Sequence, residues 1–186
     1  MLKKIAIVVL ALAAALALFV ASRPSHFHVE RSTRVAAAPE VVFPFINDFH
    51  HWANWSPWEK LDPGMKKEFT GAPQGEGAAY AWSGNDEVGV GNMRIAGSQP
   101  PERVTIALEF IKPFQASNVT VFSVTPAAGG SQVTWGMDGE SNFMFKAVSL
   151  FMNMDEMVGK DFELGLGNLK ALAEADAVKR SARAAP

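Results

Sequence analysis

The chain has 186 residues, no cysteine and a formal net charge of −2, a length that suits one domain plus a short targeting segment. A domain of roughly 150 residues buries about two-thirds of its unfolded surface, so it folds without disulfides or a metal. The missing cysteines exclude disulfide scaffolds, thiol nucleophiles, thiolate zinc sites and acylation at an N-terminal cysteine, and near-neutrality without a basic stripe argues against nucleic acid as a partner.

Lys3 and Lys4 precede an uncharged run of seventeen residues, Ile5 to Ala21. That is close to the minimum that crosses a bilayer as a helix and longer than most signal-peptide cores. The run has no polar face, which argues against a buried core helix. Residues 1–22 therefore predict a retained single-pass anchor. Cleavage after Ala21 or Ser22, where the small-x-small pattern is imperfect, would instead leave a secreted or periplasmic domain. The two lysines favour a cytoplasmic N-terminus and a domain outside the cytoplasmic membrane, against the opposing Arg23, Arg31 and Arg34.

Residues 27–176 read as one folded unit. Phe27 to Ala36 is strand-like, and Pro39 opens a helix whose Val41, Val42, Phe45, Ile46 and Phe49 recur at helical spacing. A short helix or turn covers His50 to Trp55. Strands follow at Met65–Gly71, Ala78–Ser83 and Val88–Gly97, punctuated by glycine and proline. Val104–Ile111, Asn118–Thr125 and Gln132–Asp138 form an antiparallel meander, because their connections are too short for parallel crossovers. From Phe145 to Ala175 the period becomes helical. Val148, Phe151, Met154, Val158, Phe162, Gly165, Leu169 and Leu172 make one stripe. Residues 177–186, with Lys179, Arg180 and Arg183, read as a flexible basic tail. A single apolar sheet face and one apolar helix stripe predict an α+β fold, with a curved antiparallel sheet gripping a long C-terminal helix.

Four of the five tryptophans (Trp52, Trp55, Trp58 and Trp82) lie between Trp52 and Arg94, together with seven glycines. Such aromatic area in turn-rich sequence must either pack a core or wall a pocket. Packing of the helix pair is expected for at least two of Trp52, Trp55 and Trp58, with the mouth of a pocket as the alternative. Gly159, Gly165 and Gly167 interrupt the long helix at about 1 kcal/mol each relative to alanine. They mark either close packing on the sheet or space left for a ligand. Met144, Met152, Met154 and Met157 surround that helix, and methionine adapts to irregular apolar surfaces.

Motifs for chemistry are sparse. His26 with His28, and His50 with His51, lack the i, i+4 spacing of a two-histidine metal site, so no metal is expected. No G-x-S-x-G occurs. Gly89-Val90-Gly91 lacks the third glycine and the βαβ setting of a dinucleotide loop, and no cofactor motif is present. Asp155, Glu156, Asp161 and Glu163 read as a solvated helical face, although a buried carboxylate there, or Glu59, could act as acid or base.

Several segments carry a family resemblance: Pro39-Glu40-Val41-Val42-Phe43, Trp55-Ser56-Pro57-Trp58-Glu59, Gly75-Glu76-Gly77, Trp82-Ser83-Gly84-Asn85, Gly89-Val90-Gly91, Val133-Thr134-Trp135, and the helix around Gly159-Lys160-Asp161-Phe162-Glu163 with Gly165-Leu166. From Phe27 to Glu174 the chain resembles the START-like, or SRPBCC, superfamily, in its polyketide cyclase/dehydrase and lipid-transport branch. The resemblance implies a helix-grip fold with a deep apolar cavity between sheet and long helix, but it assigns no catalytic residues, since members differ widely in function. The expected function is a membrane-anchored, non-catalytic module that binds a hydrophobic small molecule or lipid. Trp82, Phe110, Trp135, Met137, Phe151, Met154 and Phe162 are the expected lining. The alternatives are a cyclase or hydrolase using a cavity carboxylate or histidine, and an interaction or stress-response module with a filled cavity. Oligomeric state has no sequence signature.

Overall fold

The computed structural model describes residues 1–141, 143–150 and 153–184, with Met154 and Ala184 by backbone alone. The alternating segments form seven strands: β1 (His26–Val35), β2 (Lys66–Gly71), β3 (Ala78–Ser83), β4 (Val90–Gln99), β5 (Arg103–Lys112), β6 (Ala116–Ala127) and β7 (Gly130–Glu140). They make one antiparallel sheet in the order β1-β7-β6-β5-β4-β3-β2. Strands β2 to β7 join as successive hairpins, and β1 closes onto β7 from His26 opposite Glu140 to Val35 opposite Ser131. Side-chain parity is as alternation predicts, with Val104, Ile106, Phe122, Val133, Trp135 and Met137 all buried on one face.

Helix α1 (Leu2–Ser22) is exposed except at Val20, and it is long and apolar enough to cross a membrane. Helix α2 (Pro39–Asn47) begins at its proline and is followed by two short 3-10 turns, Phe49–Asn54 and Pro57–Lys60. The indole N–H of Trp52 donates to the Ile46 carbonyl at 3.0 Å, and that of Trp55 to the Phe45 carbonyl at 2.9 Å. Buried indoles need such partners, and here the pair ties the first 3-10 turn to the end of α2.

The single long helix expected from Phe145 is divided into α3 (Phe143–Val148) and α4 (Met154–Ala184). The cause is a cap. The Asn153 side-chain oxygen accepts from the Glu156 backbone N–H at 3.3 Å, an Asn-x-x-Glu start in which one orphan donor is satisfied. Helix α4 then carries the apolar stripe through buried Phe162, Leu166, Leu169 and Ala173. It continues to Ala184, where Lys179, Arg180 and Arg183 lie on helical turns and Arg180 Nε sits 2.7 Å from Asp176.

Helix α4 packs on β1, β7 and α2. Arg31 of β1 clamps it, with Nε 2.9 Å from Glu163 and both Nη atoms 3.0 Å from the Asp155 carboxylate. Two of the three helix glycines serve this packing. A Cβ at Gly159 would fall 2.0 Å from Arg31 Nη2, and one at Gly165 would fall 2.8 Å from the Trp135 ring, whereas Gly167 has nothing within 4 Å.

The two glycines nearest the C-terminus should therefore respond oppositely to the same substitution. In urea unfolding followed by tryptophan fluorescence, Gly167→Ala is expected to stabilise the domain by about 1 kcal/mol, its helix propensity alone. Gly165→Ala is expected to lower stability despite the same propensity gain, because the buried Trp135 ring must shift.

Candidate functional site

Because α4 rests on the β1–β7 side, the sheet curves away from it toward β2–β5, leaving a space between them. This space is a cavity of about 360 Å³. Its sheet wall comes from Tyr80 and Trp82 of β3, Met93 of β4, and Ile106, Leu108 and Phe110 of β5. Trp135 and Met137 of β7 continue the wall, and Met157, Val158, Asp161 and Phe162 of α4 cover it. Of the lining residues expected from sequence, Trp82, Phe110, Trp135, Met137 and Phe162 border the cavity. Phe151 lies outside the described residues, and Met154 is described by backbone alone.

Trp135 is the hub of the wall. It stacks on Phe162 with centroids 4.1 Å apart and planes 9° from parallel, and it meets Trp55 and Trp58 edge-on at 5.6 and 5.7 Å. Trp55 is fully buried and packs α2. Trp52 packs there too but also touches the cavity, as does Trp58. Trp82 is placed by its cross-strand partner Gly91, where a Cβ would fall 2.4 Å from the indole ring. The Trp82 N–H donates to the Val88 carbonyl at 3.0 Å, which holds the ring's edge at the β3–β4 turn and its face toward Phe110, 5.8 Å away.

Several polar groups border this apolar space, and they differ in how they are satisfied. Glu59, 8% exposed at its side chain, accepts from the Tyr80 hydroxyl at 2.8 Å and pairs with Lys67 Nζ. Burial, and secondarily the Glu59 hydrogen bond and charge, push the Tyr80 phenol well above its ordinary value. Asn118 is only 7% exposed and lines the cavity, yet its Oδ1 has no hydrogen-bond partner among the described residues. It lies over Gly139, where a Cβ would come within 2.0 Å of that oxygen. The buried Trp135 Nε1 likewise has no acceptor among the described residues.

The acidic face of α4 divides. Asp155 and Glu163 bind Arg31, and Glu156 meets Lys160 at 2.9 Å, all at the surface. Asp161 instead borders the cavity, where desolvation raises its carboxyl above the ordinary range. The histidines are apart from the cavity: His26 and His28 lie beside Asp138, and His50 and His51 beside Asp48.

Sequence reasoning missed Asn118 as a site residue. Its signal was parity, since it shares the inward face with Thr120 and Phe122, where a polar amide is out of place. The Glu59–Tyr80–Lys67 cluster had no comparable signal, because it joins a turn to two strands.

Sheet, grip helix and the apolar cavity between them together define a helix-grip domain. The chain belongs to the family described as polyketide cyclase / dehydrase and lipid transport, which matches residues 26–174. No curated protein matches it. Solved structures share the fold. Protein CV1439 from Chromobacterium violaceum is 17% identical with a TM-score of 0.56, covering 81% of this chain and 99% of its own. SA2116 from Staphylococcus aureus, titled a protein of unknown function, is 16% identical with a TM-score of 0.59, covering 81% and 95%. The di-domain ARO/CYC BexL from the BE-7585A biosynthetic pathway is 14% identical with a TM-score of 0.62, covering 83% of this chain and 52% of BexL.

Tyr80 offers a direct check on the site's dryness. Its folded pKa lies above the unfolded value of 10.0. Its contribution to stability is therefore fully present below pH 10 and is lost as pH rises through the folded value. Tyr80 is the only tyrosine in the chain, so phenolate absorbance reports it alone. The folded protein is expected to show no phenolate rise near pH 10, the urea-unfolded chain a normal one, and Glu59→Gln a rise at lower pH than wild type.

Proposed function

We propose that this protein is a membrane-anchored, non-catalytic module that holds a hydrophobic small molecule or lipid in the cavity between sheet and α4. The observation that carries the reading is a preformed space of about 360 Å³ walled by aromatic rings and methionines, the size and lining of small-molecule pockets. The open volume argues against a module whose cavity is filled by its own side chains. Asn118 gives an otherwise largely apolar lining an amide, which suits a ligand that is apolar along most of its length but carries one hydrogen-bonding group. Helix α1 supports retention at the membrane, with Lys3 and Lys4 on the cytoplasmic side and the domain outside.

An acid–base enzyme is the second reading, and Asp161 is the observation behind it. This carboxyl borders the cavity and desolvation raises its pKa, as a general acid or base requires.

Native mass spectrometry of the full chain released from membranes separates these readings. The binding reading expects retained adducts of lipid or small-molecule mass, recovered chemically unchanged. Asn118→Leu should weaken retention of hydroxyl- or amide-bearing adducts by about tenfold, equivalent to about 1.4 kcal/mol for one hydrogen bond. Unliganded protein across several lipid classes overturns the binding reading. A ligand that is converted by wild type but not by Asp161→Asn decides for the enzyme.

A further inference from the structure

We infer that α3 and the β5–β6 tip form a bilayer-docking collar, seated on the same membrane that holds α1, so that the cavity opens at the lipid surface. The inference rests on α1 being a retained anchor. It goes beyond that reading by fixing which end of the domain meets the lipid.

Chain geometry leaves little choice of end. Twenty-one helical residues span about 31 Å, matching a hydrocarbon core of about 30 Å, so Ser22 sits near the membrane surface. The Ser25 carbonyl already accepts from the Ser141 N–H at 2.6 Å, extending the β1–β7 pairing. Three residue steps separate Ser22 from Ser25, a reach of at most about 11 Å. Helix α1 also contacts α3, with Lys146 Nζ 3.4 Å from the Ala21 carbonyl and Val20 buried. The end of the sheet where β1 starts, β7 stops and β5 turns into β6 is thereby held next to the bilayer.

That end is unusually apolar for a surface. Phe114 at the β5–β6 tip is 51% exposed, and Phe143 and Met144 of α3 are 53% and 54% exposed, with Ile111 beside them. The turns at the opposite end, residues 72–77, 100–102 and 128–129, expose no large hydrophobic side chain among the described residues. The collar also frames the cavity: Pro113, Phe114, Phe145 and Met157 line it, and Phe114 meets Phe145 edge-on at 6.2 Å. Apolar side chains of this kind insert about 5–10 Å into the boundary of headgroups and acyl chains. Arg23, Lys112 and Lys146 flank them, with long stems suited to reaching phosphates. Glu87 and Glu140 border the cavity at the same end, so apolar insertion rather than net charge drives the docking.

The absence of cysteines makes the test clean. The full chain is reconstituted in phosphatidylcholine–phosphatidylglycerol nanodiscs, carrying single spin labels at Phe114→Cys, Met144→Cys or, at the far end, Ala128→Cys. The labels at 114 and 144 are expected to collide severalfold more with oxygen, relative to a water-soluble nickel chelate, than the label at 128. Should Phe114→Cys fail to fold, Ile111→Cys reads the same tip. A chain retained in the disc whose 114 and 144 labels are as water-exposed as 128 overturns the collar and leaves the anchor standing. A chain that alkaline carbonate strips from vesicles overturns both.

Discussion

The stack of Trp135 on Phe162 sets the distance between sheet and helix, and the rest of the domain depends on that distance. Two flat rings 4.1 Å apart leave no room for a side chain on the next turn of α4, which is why Gly165 sits against the same indole. An aromatic pair contributes about 0.5–1.5 kcal/mol beyond its buried area. Its larger effect is geometric, because it pins α4 over β7 at one point. The Arg31 clamp on Asp155 and Glu163 pins it over β1. With the helix fixed on that side, a curved sheet cannot also touch it on the other, and a cavity follows.

The cavity is therefore a consequence of how the core is distributed rather than a hollow within a uniform core. The dense cluster of Trp52, Trp55, Phe122 and Trp135 lies under α2 and the first half of α4. The thinner wall of Tyr80, Trp82 and Phe110 lies opposite. Within that wall the satisfied group is Glu59, held by Tyr80 and Lys67, and the unsatisfied one is Asn118.

In the proposed anchored form, the same geometry would link the cavity to the membrane. Three steps of chain between α1 and the first sheet hydrogen bond leave no flexible tether, so an anchored α1 would set the domain's orientation by covalent reach and not by chance encounter. A pocket held at a lipid surface can exchange an apolar ligand without carrying it through water. That removes the largest barrier such a molecule faces, since each buried methylene is worth about 0.8 kcal/mol.

Strands, their order in the chain and the grip helix were legible because alternation and helical periodicity are local properties. The inward parity of Val104, Ile106, Val133, Trp135 and Met137 could be read directly. So could the candidacy of Trp82, Phe110 and Phe162. The break between α3 and α4 was equally local, written in Asn153 and Glu156, but a continuous apolar stripe masked it. What tertiary structure alone decided was partnership. Asp161 and Glu163 are two apart on one helix, yet one faces the cavity and the other an arginine from β1. Glu59 is satisfied because β2 and β3 bring Lys67 and Tyr80 to it, while the Asn118 Oδ1, packed against Gly139, finds no partner among the described residues. Periodicity assigns a residue to a face. Which group waits on the opposing face depends on register and helix placement, and those emerge only when the whole chain has packed.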